Sequence, residues 1–235
     1  MERIDKYISA TKNISRADAK ALIKKGKISV NDKKVNNTSL KIDEHNDIVE
    51  CDGERIEYRK FVYIMMNKPK GVISASEGKG DKTVIDLLPD SMKRKKLFPA
   101  GRLDKDTTGF MLITDDGDFA HRILAPKSHI PKTYIAALDK PFDDSIIAQF
   151  EKGVELYDDL CMPAQLSAYD NDYTRAVVTI KQGMYHQIKR MFKKFGITVL
   201  ELERIKMGGL ALDKMLKYGE CRYLSEEELQ IIEKG

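Results

Sequence analysis

Residues 101–124 read GRLDKDTTGFMLITDDGDFAHRIL, and the place of the apolar run within them decides the fold. FMLIT, at 110–114, has the length and composition of a buried strand. It follows the acidic pair Asp104 and Asp106 instead of preceding it. Ahead of the pair stands FPAGRL, with Gly101 and Arg102 where the last residues of a strand would have to be. Doubly wound sheets keep their functional residues beyond the carboxyl ends of parallel strands. Here the order is reversed, and a polar loop leads into its strand.

Working outward, FVYIMM at 61–66 reads as a second buried strand, with Pro69 and Gly71 marking a turn after it. TYIAAL and RAVVTI supply further strands, and DSIIAQFEKG, HQIKRMFKKFG and SEEELQIIEKG read as helices. Strands and helices mix without a regular βαβ repeat. The expected class is therefore α+β, with a mixed, mostly antiparallel sheet. The polar stretch DGERIEYRK at 52–60 reads as a linker, which divides the chain into expected domains of residues 1–58 and 61–235.

The front domain carries a separate signal. In NISRADAKALIKKGKISVNDKKV, Ser15 is a helix cap, Asp18 its partner three residues on, and Gly26 a left-handed stop, so a helix is expected over residues 16–25. Arg16, Lys20 and Lys24 recur every four residues as one basic stripe, while Ala19, Leu22 and Ile23 form another face. A hairpin follows, with Asn31 and Asp32 at its turn and Lys33 and Lys34 beside it. Residues 1–41 hold 11 Lys or Arg against 4 Asp or Glu, an excess that the acidic residues 42–57 partly cancel. Most lysine stripes are solvated helix faces, so spacing alone leaves binding and solvation evenly matched.

Composition narrows the function classes. The 235 residues carry a net charge of only +4, with no low-complexity tract, which fits an ordinary folded protein. The start, MERIDKYISA, places charge where a signal peptide needs an apolar core, and FVYIMM is far too short to span a bilayer, so a cytoplasmic protein is expected. Cys51, Cys161 and Cys221 lack CxxC spacing, and His45, His121, His129 and His186 lack ligand spacing. With no Rossmann glycine pattern and no P-loop either, neither cofactor nor metal is expected.

Two resemblances decide between the open readings. The RxDKYI start, the SRxxAKxLIKxGKIxVN run and the following KKV resemble an S4 RNA-binding domain, although that family usually has glycine where Asp32 stands. The resemblance implies that Arg16, Lys20, Lys24, Lys33 and Lys34 meet RNA backbone, a contact that positions without specifying sequence. Further along, three islands occur in order: GRLDKDTTG with TDDGDFAHRIL, then Lys132, Thr133 and Tyr134, then GMYHQIKRMF at 183–192. With MNKPKGVIS and the late LxxGECRYL, they resemble the RsuA-like family of pseudouridine synthases over nearly the whole chain.

That resemblance implies isomerisation of a uridine inside RNA, with no net redox change or hydrolysis and so no cofactor. Asp104 takes the place of the family's catalytic carboxylate, either attacking C1′ or acting as a base on the ribose. Lys189 occupies the family's basic position, and a cation beside Asp104 favours its ionised form. Relatives often place arginine there, so a bidentate pair becomes a point-charge contact. Tyr134 matches the tyrosine that stacks on the flipped base, and Arg102 either supports RNA or fills the space the base leaves. The lysine of HQIKRMF and the form of MNKPKGVIS resemble the small-subunit branch. The implied substrate is 16S rRNA within a partly assembled small subunit, the implied enzyme a monomer with no membrane partner.

Three rivals remain in view. Asp104, Asp106 and Thr108 fit the DxDxT pattern of haloacid-dehalogenase-like phosphatases, which need the first aspartate at the end of a parallel strand. Paired carboxylates also suit a glycosidase. An S4 domain on an inactive body would be an RNA-binding assembly factor.

Overall fold

The computed structural model describes residues 1–12, 14–43, 46–56, 60–157 and 159–235. Two compact units divide it, Met1–Phe61 with Lys93–Lys95 and Val62–Met92 with Lys96–Gly235. Residues 57–59 of the expected linker, and with them the end of the expected domain 1–58, lie outside the described residues, as does His45.

In the smaller unit, helix α1 (Ile4–Thr11) precedes α2 (Arg16–Lys24). Ser15 caps α2 by accepting from the Asp18 amide at 3.1 Å. The aspartate side chain is too short to reach back to the cap's own amide and instead accepts from the Ser15 hydroxyl at 2.6 Å. Four strands of one sheet follow: β1 (Ile28–Val30), β2 (Lys33–Lys34), β3 (Val49–Cys51) and β4 (Glu54–Ile56), in the spatial order β2-β1-β3-β4. At the β1–β2 turn Asn31 and Asp32 both take positive φ, 49° and 64°, the mirror-image turn that suits a two-residue hairpin. Aspartate thus adopts the position usually given to glycine. The Asn31 side chain holds the turn by donating to Asp47 at 2.8 Å and accepting from the Ile48 amide at 2.9 Å. Ile4, Tyr7, Ile8, Ala19, Ile23, Ile28 and Val49 form this unit's core.

The larger unit is an α+β fold around one sheet, as the order of elements leads one to expect. Its strands are β5 (Tyr63–Lys68), β6 (Phe98–Ala100), β7 (Thr108–Thr114), β8 (Lys132–Leu138), β9 (Gln165–Tyr169), β10 (Asp172–Ile180), β11 (Val199–Met207), β12 (Leu210–Ala211) and β13 (Cys221–Tyr223). The main path runs β9-β10-β8-β11-β7-β5-β13, with β6 on β7 and β12 on β11. Among these strands only β11 and β7 pair in parallel, through Glu203 with Thr108 and Arg204 with Gly109. Asp104 therefore lies on the loop entering β7, and a doubly wound parallel sheet is excluded.

At β5 and β7 both faces of the sheet are covered, which is why those two strands read as continuous apolar runs. Ile64, Met66, Met111, Ile113, Val178 and Leu202 face helices α4 (Asp144–Lys152) and α5 (Gln187–Lys194), where Phe150 and Phe192 meet at 5.0 Å between ring centres. Met65, Phe110 and Leu112 alternate to the other face, against Phe119 and Ile123 of α3 (Gly117–Leu124) and Ile232 of α6 (Glu226–Lys234). Asp116 caps α3 through the Phe119 amide at 3.0 Å, and Asp115 accepts from the Val62 amide at 2.8 Å. Both acids are structural, as the aspartate-rich run suggests.

Candidate active site

The loop of residues 101–107 is pinned by groups far away in sequence. Strand β5 runs two residues past its apolar run to end on Lys68, which is fully buried. Its Nζ lies 2.8 Å from the Thr107 carbonyl, 3.1 Å from those of Asp104 and Pro69, and 3.4 Å from that of Lys105. Four carbonyls thus surround three N–H donors. Desolvation pulls the Lys68 pKa down to about 8, against the pull of the Asp106 and Asp104 charges. Ser74 adds a reciprocal pair of bonds to the Leu103 backbone, at 2.8 and 3.0 Å.

Arg204 completes the frame from β11. It is buried, its Nε donating to the Phe110 carbonyl at 2.7 Å and Nη2 to that of Gly101 at 3.5 Å. The approach leaves no room beside Gly109, which has φ +97° and where a Cβ would stand 2.3 Å from the Arg204 carbonyl oxygen. Only glycine satisfies both the backbone angle and the contact.

On this frame the Asp104 carboxylate is 28% exposed, with Oδ2 3.2 Å from Lys189 Nζ and Oδ1 3.6 Å from His186 Nε2. Lys189 sits even closer to Asp106, at 2.6 Å. One ammonium therefore bridges both carboxylates, where the sequence had suggested a simple pair with Asp104. Desolvation opposes charge on Asp106, but the hydrogen bond and charge of Lys189 outweigh it and hold that carboxyl below its usual range. Desolvation likewise works against Lys189, and the two aspartates overcome it, raising its pKa. Helix α5 presents this lysine because Ile188, Met191 and Phe192 bury its opposite face. His186, just before α5, has a left-handed backbone with φ 49° and stacks on Tyr185 at 3.9 Å.

Beside these groups opens a cavity of about 950 Å³. The loop contributes Arg102, Leu103 and Asp104 to its wall, β8 contributes Lys132 and Tyr134, β11 contributes Leu202 and Arg204, and residues 182–188 line it as well. Tyr134 is buried in this wall and Arg102 is exposed at it. The volume lies at the upper end of the usual range for small-molecule pockets and is large enough for a nucleoside. Chemically, the wall offers a carboxylate with a neighbouring cation, an aromatic ring and an apolar floor.

The structure brings together Asp104, Lys189, Tyr134 and Arg102. It places Arg16, Lys20 and Lys24 exposed on α2 and Lys33 and Lys34 exposed on β2, in the smaller unit. Lys20 is shared with the buried Asp5, 3.9 Å away, whose carboxylate also takes two bonds of 3.0 Å from Arg3. Sequence reading missed Lys68 and Arg204, and it noted of His186 only that it lacks ligand spacing. Lys68 lies within MNKPKGVIS, so the signal was present as a motif without a role. Among the described residues, no three His, Cys, Asp or Glu side chains converge to hold a metal ion. No helix among them is long and apolar enough to cross a membrane.

Comparison with known proteins follows the same division. A family model for RNA pseudouridylate synthase matches residues 62–194, and an S4 domain model matches residues 2–49. The chain is 41% identical over 233 residues to an uncharacterized RNA pseudouridine synthase, YtzG, of Bacillus subtilis, covering 98% of each. It is 39% identical to ribosomal small subunit pseudouridine synthase A of Escherichia coli K12, covering 97% of this chain and 98% of that one. A crystal structure of a pseudouridylate synthase superimposes with a TM-score of 0.67 at 34% identity, over 99% of this chain and 100% of the other.

Proposed function

This chain belongs to the RNA pseudouridylate synthase family and carries an S4 domain, and from that premise we propose that it isomerises one uridine of ribosomal RNA, in the 16S RNA of the small subunit, using Asp104 and no cofactor. The 16S assignment is supported by the small-subunit names of relatives near 40% identity, among them the Vibrio cholerae and Escherichia coli proteins. In this reading residues 1–58 dock on RNA and residues 61–235 perform the chemistry. The enzyme acts as a cytoplasmic monomer on partly assembled subunits.

The observation that carries the proposal is Asp104 held against Lys189 at 3.2 Å in the wall of a nucleoside-sized cavity that also contains Tyr134. The reaction needs an ionised carboxylate, and the Lys189 ammonium stands beside it as counterion. The target uridine leaves its stack, at a cost of a few kcal/mol, and its base lies against the Tyr134 ring, which returns about 1 to 3 kcal/mol. Asp104 then attacks C1′ or takes a proton from the ribose. In either route the C1′–N1 bond breaks and the electron pair stays with uracil. The base turns and C5 bonds to C1′ as the Asp104–C1′ bond breaks in the first route, or as the ribose regains its proton from Asp104 in the second; C5 then loses its proton and N1 gains one. Nothing is oxidised or hydrolysed.

Mapping of pseudouridine by carbodiimide labelling and primer extension tests this on small-subunit particles and on naked 16S and 23S RNA. One new stop in 16S RNA, absent with Asp104→Asn, is the expected result. A stop in 23S RNA keeps the chemistry and changes the substrate. Tight RNA binding with no stop anywhere makes the protein an assembly factor.

A further inference from the structure

Lys132 is a cation in the cavity that the mechanism above leaves without a task. It begins β8 and stands two residues before Tyr134, so both side chains lie on one face of the strand. Its neighbours across the sheet are Ile180 of β10 and Met207 of β11. Both Lys132 and Tyr134 line the cavity that Asp104 also lines. The other cavity cations differ from it. Arg204 is occupied by the Phe110 and Gly101 carbonyls, and Lys105 pairs with Asp81 at 2.8 Å. Arg102 and Lys181 are exposed. Lys132 is only partly exposed, yet its ammonium has no hydrogen bond or ion pair among the described residues.

Holding a charge there without a counterion works against folding. Desolvation, with the nearby positive charge of Arg204, brings the Lys132 pKa down to about 8. At neutral pH the group is still mostly protonated. Uncompensated charge inside a cavity is the arrangement expected where opposite charge appears only during a reaction.

Building on the proposed isomerisation, we propose that Lys132 is a catalytic residue whose ammonium donates a hydrogen bond to a carbonyl oxygen of the uracil as the base departs as an anion. When the C1′–N1 bond breaks, its electron pair spreads from N1 onto the carbonyl oxygens, and the Nζ–H group meets that charge. No proton is transferred in this step. The charge is withdrawn when C5 bonds to C1′ and the base becomes neutral again. Tyr134 fixes the plane of the ring, and Lys132, on the same strand face, contacts its polar edge.

Single-turnover rates of tritium release from C5-labelled uridine, in 16S RNA presented as small-subunit particles, test the assignment in the full-length protein. Lys132→Met should slow release by about 100-fold, the usual loss for one preorganised donor, with RNA affinity unchanged. Its melting temperature at pH 7 should equal or exceed that of the wild type, because a desolvated charge has been removed. Lys132→Arg should keep most of the rate and move the alkaline fall in activity, expected near pH 8, to higher pH. Lys68 titrates in the same range and Arg204, Asp104, Lys105, His186, Arg102 and Lys181 share the cavity wall. A fall that stays in place in the arginine variant therefore belongs to a group other than Lys132 and overturns the assignment. A methionine variant within threefold of the wild-type rate, or one that loses only affinity, also overturns it. A wild type that forms no pseudouridine defeats the reaction itself and this role with it, whereas an active wild type beside an equally active variant defeats the role alone.

Discussion

Lysines do two opposite kinds of work in this molecule, and the contrast between α2 and the cavity shows how. On α2 the charges of Arg16, Lys20 and Lys24 are exposed and repeat every four residues. Exposed charges of this kind attract a polyanion through screened, interchangeable forces. Around the cavity, Lys68, Lys132 and Lys189 are wholly or partly withdrawn from water, and each has its own geometry. Lys68 holds backbone, Lys189 holds two carboxylates, and Lys132 holds nothing in the free protein. Charge number matters in the first region, and placement matters in the second.

That contrast is most severely tested by Asp104→Asn, which should reduce pseudouridine formation by about 10⁴-fold or more while leaving RNA affinity within a factor of two or so. A filter-binding assay beside the mapping assay reads both. Retained activity would move the chemistry away from the loop entirely. Next in size is Lys68→Met, which abandons the carbonyls of Pro69, Asp104, Lys105 and Thr107. A loss of about 3 to 5 kcal/mol in urea unfolding is expected, and a loss under 1 kcal/mol would mean that other groups hold the loop.

Lys189 separates placement from charge. Lys189→Ala should slow the reaction by about 100-fold, and Lys189→Arg should restore most of the rate, since either cation reaches the carboxylates. The acid side carries a sign. Asp106 is held below the ordinary carboxylate range by Lys189, so its contribution to stability is present above its unfolded pKa and fades as pH falls through the lowered folded value. Asp106→Asn should flatten that part of the pH–stability curve, as thermal unfolding between pH 2 and about 5 would reveal. Smallest per residue are neutral substitutions at Arg16, Lys20 and Lys24. Each should lower the slope of log affinity against log salt by about 0.7 to 0.9, with the melting temperature unchanged. A single substitution that abolished binding would show that α2 too works by placement.

Strands β5, β7, β8 and β10 were legible because they are apolar runs bounded by turns, and α2, α4 and α6 because their caps and periodic faces agree, while α5 was read from its periodic face alone. Helix α3 was less so. It has only eight residues and opens with a DDGD run whose local chemistry is that of a turn. Asp104, Lys189 and Tyr134 could be named only through motifs, since nothing in their own neighbourhoods marks them. Lys68 and Arg204 were harder still. Lys68 acts on carbonyls 36 to 39 residues further along, and no local pattern encodes such a partner. Arg204 stands in VLELERIKM, whose alternation describes a half-exposed strand. Its burial comes from the parallel pairing with β7, a choice of neighbour that periodicity does not contain.

That pairing also sets the order in which the protein can be finished. The Arg204 bond to the Phe110 carbonyl closes a separation of 94 residues, and loop closure of that kind slows folding because its entropy is lost before the contact forms. Strand β7 can find β5 on one edge and β6 on the other early, but the Thr108–Gly109 end of that second edge stays open until β11 has been made. During synthesis from the amino terminus, the smaller unit can fold first. A chain emerging from the ribosome can therefore hold RNA well before it can modify it.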